Sequence, residues 1–221
     1  MKFLLDTADV EDIKRICAMV PVDGVTTNPG IVAASGKSVF DLLPAIRDAM
    51  GGKGMLFAQV ISPTVEGMIK DAHTLTSRVE NLIVKVPVTP NGLVAIKELT
   101  KEGIPTLGTS IYGAAQGFMA ALAGAKYLSP YVSRIDAQGG NGPETVKELQ
   151  NLISQHKPDV EIVNASFKSP RQALECMMIG SAGITLPPSI FDLFIADPAV
   201  LAAVTEFGNQ WFKAFNRHTL D

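Results

Sequence analysis

The apolar run LIVKVPV, residues 82–88, carries one lysine at its centre. An isolated ammonium in such surroundings is costly, so the side chain either pairs with an acid or gives up its proton. A neutral amine is a nucleophile, and a desolvated lysine that attacks a carbonyl to form a Schiff base is an established catalytic device. That chemistry needs proton donors and acceptors nearby, for carbinolamine formation, dehydration and carbon–carbon cleavage. Polar residues of the right kinds recur along the chain about one βα unit apart: Asp6, Asn28, Gln59, Lys85, Thr109, Tyr131, Ser166 and Thr185.

Each of these also has a structural explanation. Lys85 could be an ion-paired core lysine, since ion-pair networks also perturb lysines. Asp6 could cap a helix beginning in TADVEDI. Thr26 and Asn28, in VTTNPG, could form the turn signalled by Pro29-Gly30. Tyr131 could be a packed aromatic with its hydroxyl tied to backbone, and Thr109 and Ser166 could each bond a neighbouring carbonyl. Gln59 is harder to explain this way, because a buried amide needs hydrogen-bond partners or a fixed water. Positive charge comes from Arg134 in YVSRID and Lys168 in NASFK. Arg134 could fork onto a phosphate, or form a salt bridge with Asp136.

The elements that must position these residues alternate. Strand patterns are KFLLDT (2–7), GVTTN (24–28), MLFAQVI (55–61), LIVKVPV (82–88), PTLGTSI (105–111), YLSPYV (127–132), EIVNAS (161–166) and GITLP (183–187). Amphipathic stretches lie between them, such as 9–20, 64–75, 91–103 and 169–180. Several open on Ser, Thr, Asp or Asn and close on Gly, as capped helices do. Leu93, Ile96 and Leu99 recur at three-residue steps, which fits a helix covering a sheet. Eight strands, each followed by a helical segment, predict an α/β fold, a parallel (β/α)₈ TIM barrel. Strand C-terminal ends then converge on one mouth, where such barrels carry their chemistry, with phosphate commonly held after strands seven and eight. Arg134 follows strand six and Ser166 to Lys168 follow strand seven, near that region.

The chain of 221 residues is short for this fold, so short loops are expected. No linker, low-complexity tract or charge block divides it, and residues 1–221 read as a single barrel domain. Residues 197–215 form an extra C-terminal helix, carrying Val200, Val204, Phe207, Trp211 and Phe215 at three- and four-residue steps. That stripe is suited to packing on its own barrel or on a neighbouring subunit, and the sequence leaves both open.

Net charge is −3 and no run of Lys or Arg occurs, which argues against nucleic acid and membrane surfaces as partners. No apolar stretch approaches a membrane span, and the N-terminal apolar run is too short for a signal peptide, so a cytoplasmic location is expected. Cys17 and Cys176 lack CxxC spacing and read as two buried thiols. GGKG (51–54) lacks the full phosphate-loop pattern and precedes a strand, so it reads as a helix-to-strand turn. His73, His156 and His218 are far apart without metal-ligand spacing, and no metal or other cofactor is expected.

LDTADV, GVTTNP, FAQV, VKVPVT, GIPTLGTSIYGAAQ, SPYVSRIDAQGG and ASFKSPRQ, in that order, resemble the small-subunit transaldolase family. They are most similar to its fructose-6-phosphate aldolase branch. The resemblance runs from residue 2 to the C-terminal helix. It implies a (β/α)₈ barrel and metal-free class I aldol chemistry, with Lys85 as the Schiff-base lysine and Asp6 as a proton-relay carboxylate. By the same resemblance Asn28 orients the dihydroxyacetone part of the substrate, and Arg134 with Ser166 holds the phosphate. Transaldolases generally carry Glu at the third-strand position and Phe in SPFVGR. Gln59 and Tyr131 stand there in this chain and point to the aldolase, whereas Ser129 is the transaldolase-like choice. The branch also implies a ring-built homodecamer in which the C-terminal helix reaches a neighbour.

The reading is a class I aldolase that reversibly splits fructose 6-phosphate into dihydroxyacetone and glyceraldehyde 3-phosphate. Lys85, Asp6, Gln59, Tyr131 and Thr109 are its catalytic candidates, and Thr26, Asn28, Ser129, Arg134 and Ser166 its substrate-binding ones. The nearest alternative is a transaldolase passing the same three-carbon unit to an aldose phosphate. More distant ones are a pyridoxal-phosphate enzyme and a catalytically silent sugar-phosphate binder.

Overall fold

A computed structural model describes residues 1–221. Eight parallel strands close into a barrel in sequence order: β1 (Lys2–Asp6), β2 (Gly24–Thr26), β3 (Met55–Gln59), β4 (Leu82–Pro87), β5 (Thr106–Ile111), β6 (Tyr127–Pro130), β7 (Glu161–Asn164) and β8 (Gly183–Leu186). β1 pairs with both β2 and β8, so no sheet edge remains.

The helices are α1 (Val10–Cys17), α2 (Pro29–Ser35), α3 (Val39–Ala49), α4 (Val65–Thr76), α5 (Pro90–Lys101), α6 (Ala114–Ala123), α7 (Val132–Ala137), α8 (Gly142–His156), α9 (Pro170–Met178), α10 (Pro188–Ile195) and α11 (Pro198–Phe215). The expected one-helix-per-strand alternation is doubled after β2 and β6, where α2 and α7 precede the covering helices α3 and α8. Both short extra helices lie directly after residues assigned above to the mouth. The GGKG turn joins α3 to β3, with Gly51, Gly52 and Gly54 all at positive φ, where a side chain is strained.

The strand period of two sorts the side chains. Leu4, Phe57, Ile83, Leu107 and Val163 form one buried cluster that fills the barrel. Their neighbours Leu5, Leu56, Val84 and Ile162 join the clusters between barrel and helices. Two residues beyond the filling layer, on the same face, stand Asp6, Gln59, Lys85 and Thr109. The polar ring is therefore the next layer up inside the barrel. At the opposite opening Lys2 pairs with Glu161, closing the base with charge.

Most helix starts are capped by the residue types expected. Thr64, Thr89, Asn141 and Ser169 each accept a backbone N–H of the first turn. Cys176 is buried, and burial pushes its thiol up to about 12, whereas Cys17 is half-buried rather than buried as expected. α11 has no buried residue: Val200, Val204, Phe207 and Phe215 are all more than half exposed. The helix does not bury its stripe on its own barrel. No helix is long and apolar enough to cross a membrane.

Candidate active site

Lys85 is only 4% exposed, yet no carboxylate lies within salt-bridge distance of it. Its Nζ donates one hydrogen bond, 2.6 Å long, to the carbonyl of Thr27. The ion-paired core lysine is thereby excluded. Thr27 is itself pinned to β3, since its N–H and its hydroxyl both donate to the Phe57 carbonyl at 3.0 and 2.9 Å. The amine is thus held by a neutral acceptor on a rigid strand end.

Asp6 does not cap α1. Asp9 does, accepting from the N–H groups of Glu11 and Asp12. The Asp6 carboxylate instead accepts the Thr26 hydroxyl at 2.7 Å, and Thr26 lies 2.7 Å from the Thr185 hydroxyl. Three neighbouring strands therefore carry one hydrogen-bonded chain. Gln59 sits directly opposite Lys85 in the β3–β4 register. Its Oε1 is buried and has no protein partner. Thr109 donates to the Tyr131 hydroxyl at 3.0 Å, so neither side chain is tied to backbone as the structural alternatives supposed.

Asn28, Tyr131 and Ser166 lie just beyond their strands, not within them as the sequence patterns had it. Asn28 is the N-cap of α2, its Oδ1 accepting from Ile31 at 3.0 Å, which leaves its Nδ2 free of protein partners. Pro29-Gly30 thus opens α2 rather than a turn, and the local role of Asn28 is that of a cap. Asn28 and Gln59 also line a cleft of about 430 Å³ with apolar walls at Val32, Phe40 and Leu75. Ser129 is buried on β6, and its hydroxyl makes no protein hydrogen bond.

Arg134 lies on α7 and forms no ion pair. The supposed partner Asp136 accepts from the Gly142 N–H and from Gln172 Nε2, each at 2.6 Å. The salt-bridge alternative is therefore wrong, because Asp136 is spent on fastening α7 to α8 and α9. Arg134 rests with its guanidinium carbon 4.8 Å from the Tyr131 ring centre, and Nη1 reaches the Tyr112 hydroxyl at 3.4 Å. Its pKa is raised, chiefly by that hydrogen bond and against the opposing effect of burial, with Asp6 among the smaller causes. Ser166 adopts φ +64°, and its hydroxyl lies 2.9 Å from that of Ser133.

Sequence reasoning did not single out Tyr112, Ser133 or the Thr27 carbonyl. Ser133 adjoins Arg134 in the motif already noted, which was a usable signal. Tyr112 follows a register shift between Gly108 and Ile111 that the sequence does not announce. Exposed Lys168 has no ion pair and contributes only its N–H, donated to Gln172.

One mouth thus gathers a buried amine without a counter-ion, a carboxylate in a hydroxyl chain, a phenol and an unpaired guanidinium. A family model described as Transaldolase/Fructose-6-phosphate aldolase matches residues 3–221. The chain belongs to that family. A solved structure described as "Native KDPGal structure" is similar in fold, with a TM-score of 0.51 and 18% identity. The similarity covers 83% of this chain and 80% of that one. As a member of the transaldolase/fructose-6-phosphate aldolase family the protein is an enzyme of the aldolase–transaldolase type.

Proposed function

We propose that the protein is a class I fructose-6-phosphate aldolase, reversibly forming dihydroxyacetone and glyceraldehyde 3-phosphate. The observation that carries this reading is Lys85: buried, without a carboxylate, and one layer above the packed barrel interior. Its amine attacks the C2 carbonyl, and the carbinolamine loses water to give an iminium. The iminium takes up the electron pair as the C3–C4 bond breaks, while the C4 hydroxyl gives up its proton. The resulting enamine is protonated at C3, and hydrolysis of the imine returns the amine. Tyr131, oriented by Thr109, and a water held on Gln59 Oε1 move protons at the cleaved bond, and Asp6 serves the carbinolamine steps. Asn28 Nδ2 is free to orient the dihydroxyacetone hydroxyls, and Arg134 with Ser166 binds the phosphate, so sugar phosphates are the substrates. No metal takes part in this scheme.

A second reading, transaldolase, is favoured by Ser129, the transaldolase-like choice at its position, which is buried on β6 with no protein partner for its hydroxyl. The enamine decides between them: an aldolase protonates and releases it, whereas a transaldolase keeps it for an aldose phosphate. Fructose 6-phosphate alone should give sustained release of both products, followed by coupled assay. Turnover only after erythrose 4-phosphate is added would make the enzyme a transaldolase. Borohydride with dihydroxyacetone should place an adduct on Lys85 by mass spectrometry, and Lys85→Met should abolish turnover with circular dichroism unchanged. An adduct on another lysine would overturn both readings of the site.

A further inference from the structure

Tyr112 belongs to none of the roles assigned so far, yet its hydroxyl accepts the only hydrogen bond made by the Arg134 side chain. The Tyr112 and Tyr131 rings meet edge to face, 5.9 Å between centres and 70° between planes. Arg134 lies over the face of that same Tyr131 ring. A guanidinium has five N–H donors, and Tyr112 takes one. An exposed arginine side chain, as Arg134 is, would otherwise sample many rotamers. We propose that Tyr112 is a positioning residue for phosphate recognition, tethering Arg134 so that its remaining donors face the phosphate. The inference rests on the phosphate-binding reading of Arg134 given above.

Tyr112 is itself held to the catalytic strands. Its N–H donates to Gln116 Oε1 at 2.8 Å, and Gln116 Nε2 donates to the carbonyls of Val88 and Ser110 at 2.8 and 3.1 Å. Val88 follows the strand of Lys85, and Ser110 lies at φ +57° where β5 shifts register. A bulge of this kind re-aims the side chains that follow it. The Gln116 amide thus spends its oxygen and both its protons on fixing one turn. Through that turn, the distance from phosphate to amine is referred to β4 and β5 as well as to α7. The 3.4 Å contact is longer than the usual 2.9–3.0 Å, so it guides the guanidinium while leaving it free to close on an anion.

Tyr112→Phe removes the hydroxyl and keeps the ring against Tyr131. The readout is the ratio of kcat/KM for glyceraldehyde 3-phosphate over that for unphosphorylated glyceraldehyde, with dihydroxyacetone as donor. The variant should lower this ratio about three- to tenfold, with the loss in KM, as befits a charge-assisted bond at a partly exposed site. In an Arg134→Ala background the same change should lower it no further. A ratio unchanged by Tyr112→Phe but lowered by Arg134→Ala would overturn the positioning role and leave the phosphate site standing. A ratio unchanged by Arg134→Ala would overturn the phosphate reading itself. Equal losses for both aldehydes with Tyr112→Phe would show a merely structural tyrosine.

Discussion

The Thr26 hydroxyl has one proton and two oxygen neighbours, Asp6 Oδ1 and Thr185 Oγ1, both at 2.7 Å. An ionised carboxylate only accepts, so the Thr26 proton goes to Asp6 and Thr185 donates to Thr26. That ordering leaves the second carboxylate oxygen of Asp6 for the proton released when an amine becomes a carbinolamine. Asp6→Asn should therefore depress kcat by about 10²–10⁴, the usual worth of a positioned acid–base group. Its melting temperature should stay near that of the parent. Thr26→Val, which removes only the support, should cost far less activity. Equal losses in the two variants, measured by steady-state kinetics, would show that Asp6 acts only through its hydrogen bond to Thr26. Asp6 was legible in the sequence by type and place, but its role competed with capping. The competition ended only when Asp9 was seen to accept the α1 N–H groups. For Lys85 the decisive fact was likewise an absent carboxylate, which no one-dimensional pattern shows.

Elements decide how far such groups can drift. α5 starts immediately after β4, and Gly92 in its first turn lies so close to the strand end that an added Cβ would sit 1.9 Å from the Pro87 carbonyl oxygen. Backbone cannot give way there as a flexible side chain could. Gly92→Ala should destabilise the protein by about 1–3 kcal/mol, seen as a lower urea midpoint with unchanged slope. Because Pro87 is two residues from Lys85, kcat should fall as well. Wild-type stability in this variant would mean that α5 can slide without cost. The eight strands were readable because each is an apolar run bounded by turns, and α4, α5 and α9 because their caps and periodicity agree. α2 and α7 escaped notice because seven and six residues are too few for a 3.6-residue period to show. Those two helices carry the Asn28 cap, Ser133 and Arg134, so the least legible elements are ones that shape the mouth.

At the scale of the whole molecule, the folded chain leaves one large apolar surface uncovered. The α11 stripe is exposed along its length, while Trp211 packs on Phe215 at 4.4 Å and donates to the Thr219 carbonyl, which gives the terminal turn a fixed shape. An amphipathic helix that buries nothing on its own barrel gains little from folding unless a second chain covers it. The sequence showed the stripe but could not show whether the barrel offered a groove for it, since that depends on how β8, α10 and α1 close the ring. We propose that a second subunit covers the stripe, and such packing makes two separable demands. Removing residues 197–221 should lower the mass measured by light scattering, because the cover between subunits is lost. It should leave the far-ultraviolet circular dichroism of the barrel intact, because no core residue lies beyond Phe191. Phe207→Glu should lower the mass in the same way without shortening the chain, since a charge buried between subunits has no partner there. A full-length protein that scatters as a monomer, or a truncated one of unchanged mass, would return the helix to the list of surfaces without a partner.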